Sequence, residues 1–156
     1  MVAHLRGGLI IGMLMLSVMG CQGRGEGTAR VASGAPAPTD PARVDARGGV
    51  QVTVVPIQLS RGAEQLVFEV ALDTHSIDLS FDLAAQAILR NDQGRTVQAL
   101  FWDGGQGGHH LRGRLSFPAR DAAGAPLLGP ETRALELVLV GIAGVPERIF
   151  RWEVSP

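Results

Sequence analysis

The chain has 156 residues, with 14 Lys+Arg against 15 Asp+Glu, 21 Gly, 9 Pro and a single Cys. That length supports at most one ordinary domain. A formal charge of −1 excludes the basic footprint of nucleic-acid binding, and one cysteine excludes both a disulfide framework and an all-cysteine zinc site. The sequence contains no Lys and no Tyr, which reads as genomic base composition and not as chemistry.

Residues 1–6 carry Arg6 and no acid, and residues 7–19 form an unbroken apolar or small run. A spanning helix needs about 20 apolar residues, so this run is too short for a comfortable anchor. A basic start, a short apolar stretch and then small residues is the layout of a secretory signal peptide. At its end, Val18-Met19-Gly20-Cys21 resembles the lipobox of bacterial lipoproteins, in which a small residue directly precedes a lipidated cysteine. The resemblance implies that residues 1–20 are removed and that the mature protein begins at Cys21, acylated on its thiol and amine. Each buried methylene contributes about 0.8 kcal/mol, so two or more chains hold such a protein in a bilayer. Gln22 stands where an inner-membrane retention Asp would sit, which favours the periplasmic face of the outer membrane as the location.

Residues 22–49 are dominated by Gly, Ala, Pro, Arg and Asp, with only Val31 and Val44 as large apolar residues. Such a stretch buries too little surface to offset an ordering entropy of roughly 1–2 kcal/mol per residue. Residues 21–49 therefore read as a lipidated start and a disordered linker with a reach of about 30 Å.

From Val50 the pattern turns to period two, the signature of strands. Val50, Val52 and Val54 alternate with polar residues until Pro56, which marks an edge strand. Leu66, Phe68, Val70 and Leu72 give a second strand; Ile77, Leu79, Phe81 and Leu83 give a third. Residues 84–87 fit one helical turn. Residues 85–90 and 96–102 flank the turn chemistry of Asn91-Asp92-Gln93-Gly94 and read as a hairpin. Leu111, Leu115 and Phe117 mark a further strand, Leu135, Leu137 and Leu139 another, and residues 148–154 the last. The large core pieces expected are Phe68, Phe81, Phe101, Trp102, Phe117, Phe150 and Trp152. About seven to eight short antiparallel strands between Gly/Pro turns argue for an all-β, immunoglobulin-like sandwich over residues 50–156, without the Cys–Trp–Cys hallmark of antibody domains.

Three histidines stand in loops of this module, His75 after the second strand and His109 and His110 after the glycine loop at residues 104–108. Imidazole binds copper, zinc or nickel without thiolate, so these histidines with Asp73, Asp78 or Asp103 compose a candidate metal site, copper first. Adjacent residues of a strand face opposite ways, which sets His109 and His110 against sharing one ion unless the backbone is irregular. The competing reading has each imidazole bonded to a loop carbonyl. No G-x-S-x-G elbow is present, the glycine loop feeds a strand and no Lys follows it, and the acids are not paired. Hydrolase, nucleotide-binding and glycosidase chemistry are thereby disfavoured.

The stretches THSIDLSFDL, WDGGQGGHH, LRGRLSF and GVPERIFRW resemble an uncharacterised group of secreted or membrane-anchored prokaryotic domains. The positions carrying the likeness are Thr74, His75, Ser76, Asp78, Trp102, Gly108, His109, His110, Gly113, Arg148 and Trp152. This resemblance implies one envelope domain and brings no activity with it. The expectation is a non-enzymatic interaction module, held to the membrane through Cys21 and meeting a protein or envelope component. A periplasmic copper-binding protein is the alternative.

Overall fold

A computed structural model describes residues 41–154. The expected leader, Cys21 and most of the expected linker lie outside the described residues. The strands are β1 (Arg43–Asp45), β2 (Val50–Gln58), β3 (Gln65–Thr74), β4 (Ala87–Asn91), β5 (Thr96–Gln98), β6 (Phe101–Trp102), β7 (His110–Pro118), β8 (Ala134–Val140) and β9 (Glu147–Glu153). Short 3-10 turns at Arg47–Gly49, Ala84–Gln86 and Ile142–Gly144 punctuate them.

All pairings are antiparallel and build two sheets, one in the order β1-β2-β3-β7-β6 and the other β5-β4-β8-β9. With β2 taken as strand A, these orders become A-B-E-D and C′-C-F-G, the strand arrangement of immunoglobulin sandwiches. The expected all-β sandwich is therefore the fold, with β1 added outside strand A.

Alternation along each strand puts one row inward. Val50, Val52 and Val54 of β2, Leu66, Phe68, Val70 and Leu72 of β3, and Leu111, Leu115 and Phe117 of β7 are buried. They meet Leu89, Leu135, Leu137, Leu139, Phe150 and Trp152 from the opposite sheet in one core. Phe68 lies at its centre, edge-on to Phe117 with centroids 5.9 Å apart and 5.1 Å from Trp152. Such pairs contribute about 0.5–1.5 kcal/mol each beyond their area, in a domain that has no disulfide.

Five expectations need correction. Residues 75–83 form no strand. Leu79 and Leu83 are fully buried and Ile77 and Phe81 pack partly against the core, so the alternation there records packing without a ladder. Residues 96–102 are not one strand, because the chain leaves the second sheet after Gln98 and joins the first at Phe101. Phe101 is not a core residue: its neighbour Trp102 takes the inward phase, leaving Phe101 61% exposed. Strand β2 is an edge only in part, since β1 covers residues 52–54. Pro56 lies beyond that cover, where the ladder to β3 also slips between Pro56 and Gln58. Finally, the linker does not extend to Gly49. Residues 43–45 are strand and 47–49 a turn, both fastened to the sandwich by polar contacts described below.

Candidate functional site

The end of β3 gathers the histidine chemistry. Asp73 and His110 are register partners on the outer face of the first sheet, and their side chains meet at 2.8 Å between Oδ1 and Nδ1. Thr74, next in the alternation, turns inward and is buried. Its hydroxyl donates to the Gly49 carbonyl (2.8 Å), and its own N–H donates to the His109 carbonyl (2.9 Å). The Ser76 N–H in turn donates to Thr74 Oγ1 at 3.3 Å. Both ends of this corner are thus pinned, and His75 emerges between them with its ring 6.3 Å from that of His110 at an interplanar angle of 77°. Ala46, Gly49, Gln51, Asp73, Thr74 and His75 line an open groove there.

Asp78 and the glycine loop brace the corner from the other side. Asp78 Oδ1 accepts the Gly108 N–H at 3.0 Å, Leu79 donates to the Gly108 carbonyl (3.1 Å) and accepts from the Gly107 N–H (2.8 Å). Gly107 and Gly108 adopt φ of 87° and 81°, a left-handed conformation that glycine enters at no steric cost. At the loop's start, the Trp102 indole N–H donates to the Gly105 carbonyl at 2.8 Å, and a Cβ on Gly104 would overlap the indole ring. The loop is therefore seated on Trp102.

Of the six residues expected to compose a metal site, the structure brings three together: His75, His110 and Asp73. Asp78 is engaged by the loop backbone. His109 contributes its carbonyl to Thr74. Asp103 is remote from the cluster, because its carboxylate accepts the Arg114 N–H, four residues along β7 from His110, roughly 13 Å at strand rise. Among the described residues no group of three or more His, Cys, Asp and Glu side chains forms a ligand set. What the corner offers is two imidazoles with a carboxylate behind one of them.

A second polar constellation lies where residues 41–49 meet the sandwich. Arg148 in β9 is fully buried. Its Nη1 meets Asp45 Oδ1 at 2.5 Å, and its Nη2 donates to the Arg47 carbonyl at 2.6 Å, while Nε has no hydrogen-bond partner among the described residues. Arg47 forks onto Asp45 and also reaches the Glu147 carbonyl at 2.9 Å. The hydrogen bond from Arg47, with the nearby charge of Arg148, holds the Asp45 carboxyl below its usual range, against a smaller opposing effect of burial. Further along β9, Arg43 donates to the Arg151 carbonyl (3.0 Å) and stacks its guanidinium 5.8 Å from the Trp152 ring centre. The Trp152 indole N–H donates to the Pro41 carbonyl at 2.6 Å. This clamp was missed from sequence, yet a signal existed: Arg148 has the same inward parity as Phe150 and Trp152, and an arginine there requires a carboxylate.

No family model matches this chain, and no curated protein matches it. One solved structure is similar in outline. It is a DUF4426 family protein from Pseudomonas aeruginosa PAO1, 14% identical, with a TM-score of 0.41 over 74% of this chain and 96% of that one.

Proposed function

We propose that the chain is a lipoprotein of the cell envelope, anchored through Cys21, that displays its sandwich as a non-enzymatic interaction module. The observation that carries this reading is how residues 41–49 are fastened. An anchored module must transmit any pull on its linker into the fold, and a lone edge strand would peel. Here β1 pairs with β2 of the first sheet, while Pro41, Arg43, Asp45 and Arg47 bond to β9 of the second. The junction loads both sheets at once.

The partner-facing surface that best fits the reading is the outer face of the second sheet. Ile88, Val138 and Ile149 stand in one register row there; Val138 is itself buried and Ile88 half-buried, so the apolar area offered is that of Ile149, 48% exposed, and Val140, 38% exposed. Beside them Glu136 accepts from Arg90 (2.7 Å) and Arg151 (3.0 Å), and Arg151 also meets Glu153. An apolar row next to ordered charges is the composition of a protein-binding surface with a polar rim.

Replacing the anchoring residue is the test. Cys21→Ala is expected to move the protein from the membrane fraction to the soluble one; membrane retention by that variant would overturn the anchor.

A further inference from the structure

We propose that His75 and His110 form a surface site for a divalent late transition metal, Cu(II) in first place, with Asp73 as the carboxylate that orients His110. The site holds whether or not the chain is anchored, since it lies in the sandwich itself.

The arrangement at His110 is the one that prepares an imidazole as a ligand. Its Nδ1 is 2.8 Å from Asp73 Oδ1. A ring that donates one N–H to a carboxylate has its tautomer fixed, leaving Nε2 as a lone-pair donor of raised basicity, the usual support behind a metal-bound histidine. Asp73 thus serves behind the ligand, which accounts for the absence of three converging ligand side chains at the corner. A hydrogen bond from an exposed imidazole N–H to a carboxylate is worth little to stability when both groups are solvated, and these two side chains are 66% and 47% exposed.

The second imidazole is within reach. Metal–nitrogen bonds of about 2.0–2.1 Å, with about 1.1 Å from each nitrogen to its ring centre, put two rings sharing one ion about 5 Å apart at a tetrahedral angle and about 6.3 Å apart when opposed. The His75 and His110 centroids are 6.3 Å apart. That value is the upper limit for a shared ion, with the rings edge-on to each other, and side-chain rotation of the exposed His75 brings its nitrogen toward His110 Nε2. Water completes the coordination from the open groove.

The charge balance around the pair favours a cation. Asp73 contributes a negative charge, and Arg112, the next outward residue of β7, is paired at 3.0 Å with Glu69 across the ladder. With no thiolate in the sandwich and two imidazoles, the donor set is that of Cu(II) above Zn(II) in the affinity series.

Copper(II) titrated by calorimetry into the full, untagged chain in detergent tests the site, with electron paramagnetic resonance reporting nitrogen ligation. One equivalent is expected to bind with nitrogen hyperfine structure. His75→Ala and His110→Ala should each weaken it by about tenfold or more, and Asp73→Asn by about tenfold, the effect of losing an orienting partner. His109→Ala, one residue away and outside the pair, should stay within about twofold. All four positions are on or beside exposed loops and strand ends, so folding is checked by the unchanged thermal transition of each variant. Wild-type affinity in the His75→Ala/His110→Ala double variant, equal losses in His109→Ala and His110→Ala, or no one-equivalent binding by the wild type would each overturn the proposal.

Discussion

Arg148 and Asp45, 103 residues apart in the chain, meet as an ion pair in which the arginine side chain has no exposure to solvent. The guanidinium belongs to the inward row of β9 and the carboxylate to β1, so the pair joins the last strand to the segment that leads into the sandwich. Removing one partner of a buried pair leaves an uncompensated charge, at a cost of about 3–5 kcal/mol. Urea denaturation of Asp45→Ala should show a loss of that size, whereas the Asp45→Ala/Arg148→Met double variant should recover most of it. A loss under about 1 kcal/mol for Asp45→Ala would mean that water reaches the guanidinium.

Acid should loosen this clamp and the Glu136 pairs of the second sheet. Asp45 and Glu136 both titrate below their ordinary values, Asp45 chiefly through its hydrogen bond from Arg47 and Glu136 through those from Arg90 and Arg151. In the unfolded chain these carboxyls take up protons first, so the unfolded state gains stability as pH falls. Their contribution is complete above the ordinary carboxylate range, about pH 5, and drains away as pH drops through the depressed folded values. Melting temperature should therefore fall from pH 5 downward, and Asp45→Asn/Glu136→Gln should flatten that slope. A slope unchanged in the double variant would assign acid sensitivity to other carboxylates.

The start of the folded module is open to direct measurement. A chain beginning at residue 40 retains the Pro41, Arg43, Asp45 and Arg47 contacts; one beginning at Val50 loses all of them. The longer chain should unfold in one cooperative transition, and the shorter one should melt at least about 12 °C lower. It loses at least the roughly 3 kcal/mol of the Asp45–Arg148 pair, and each loss of about 1 kcal/mol shifts a domain of this size by about 4 °C. Equal melting would return residues 41–49 to the linker.

The phase of β6 makes a sharp contrast between neighbours. Phe101 faces solvent and Trp102 fills the core. Phe101→Ser should change stability by no more than about 0.5 kcal/mol, while Trp102→Ala should cost about 3–5 kcal/mol and free the glycine loop that the indole N–H holds. Thermal denaturation of both variants reads the phase, and a reversed order of effects would place Phe101 inside.

Period-two alternation made β3, β7, β8 and β9 legible, because each has one buried row and the row decides the register. The same signal misled at Ile77, Leu79, Phe81 and Leu83, where alternate burial occurs on a segment whose backbone bonds mainly to the glycine loop through Leu79. The segment at 41–49 was illegible for a different reason. Its residues bury little apolar surface and owe their order to the short ladder with β2 and to Arg148 and Trp152, contacts about a hundred residues away that no local pattern reports. At the histidine corner, the expected separation of His109 from His110 rests on alternation along one strand, whereas His109 lies in the bend before β7 and offers its carbonyl to Thr74. The pairing of His110 with Asp73 needed the β3–β7 register, which depends on where the glycine loop ends and β7 begins.

Mass spectrometry of the mature protein extracted from cell membranes addresses the anchored module most directly. The account requires an N-terminal peptide starting at Cys21 and carrying acyl chains on that residue. An intact leader, or a mature chain whose Cys21 bears no lipid, would contradict it.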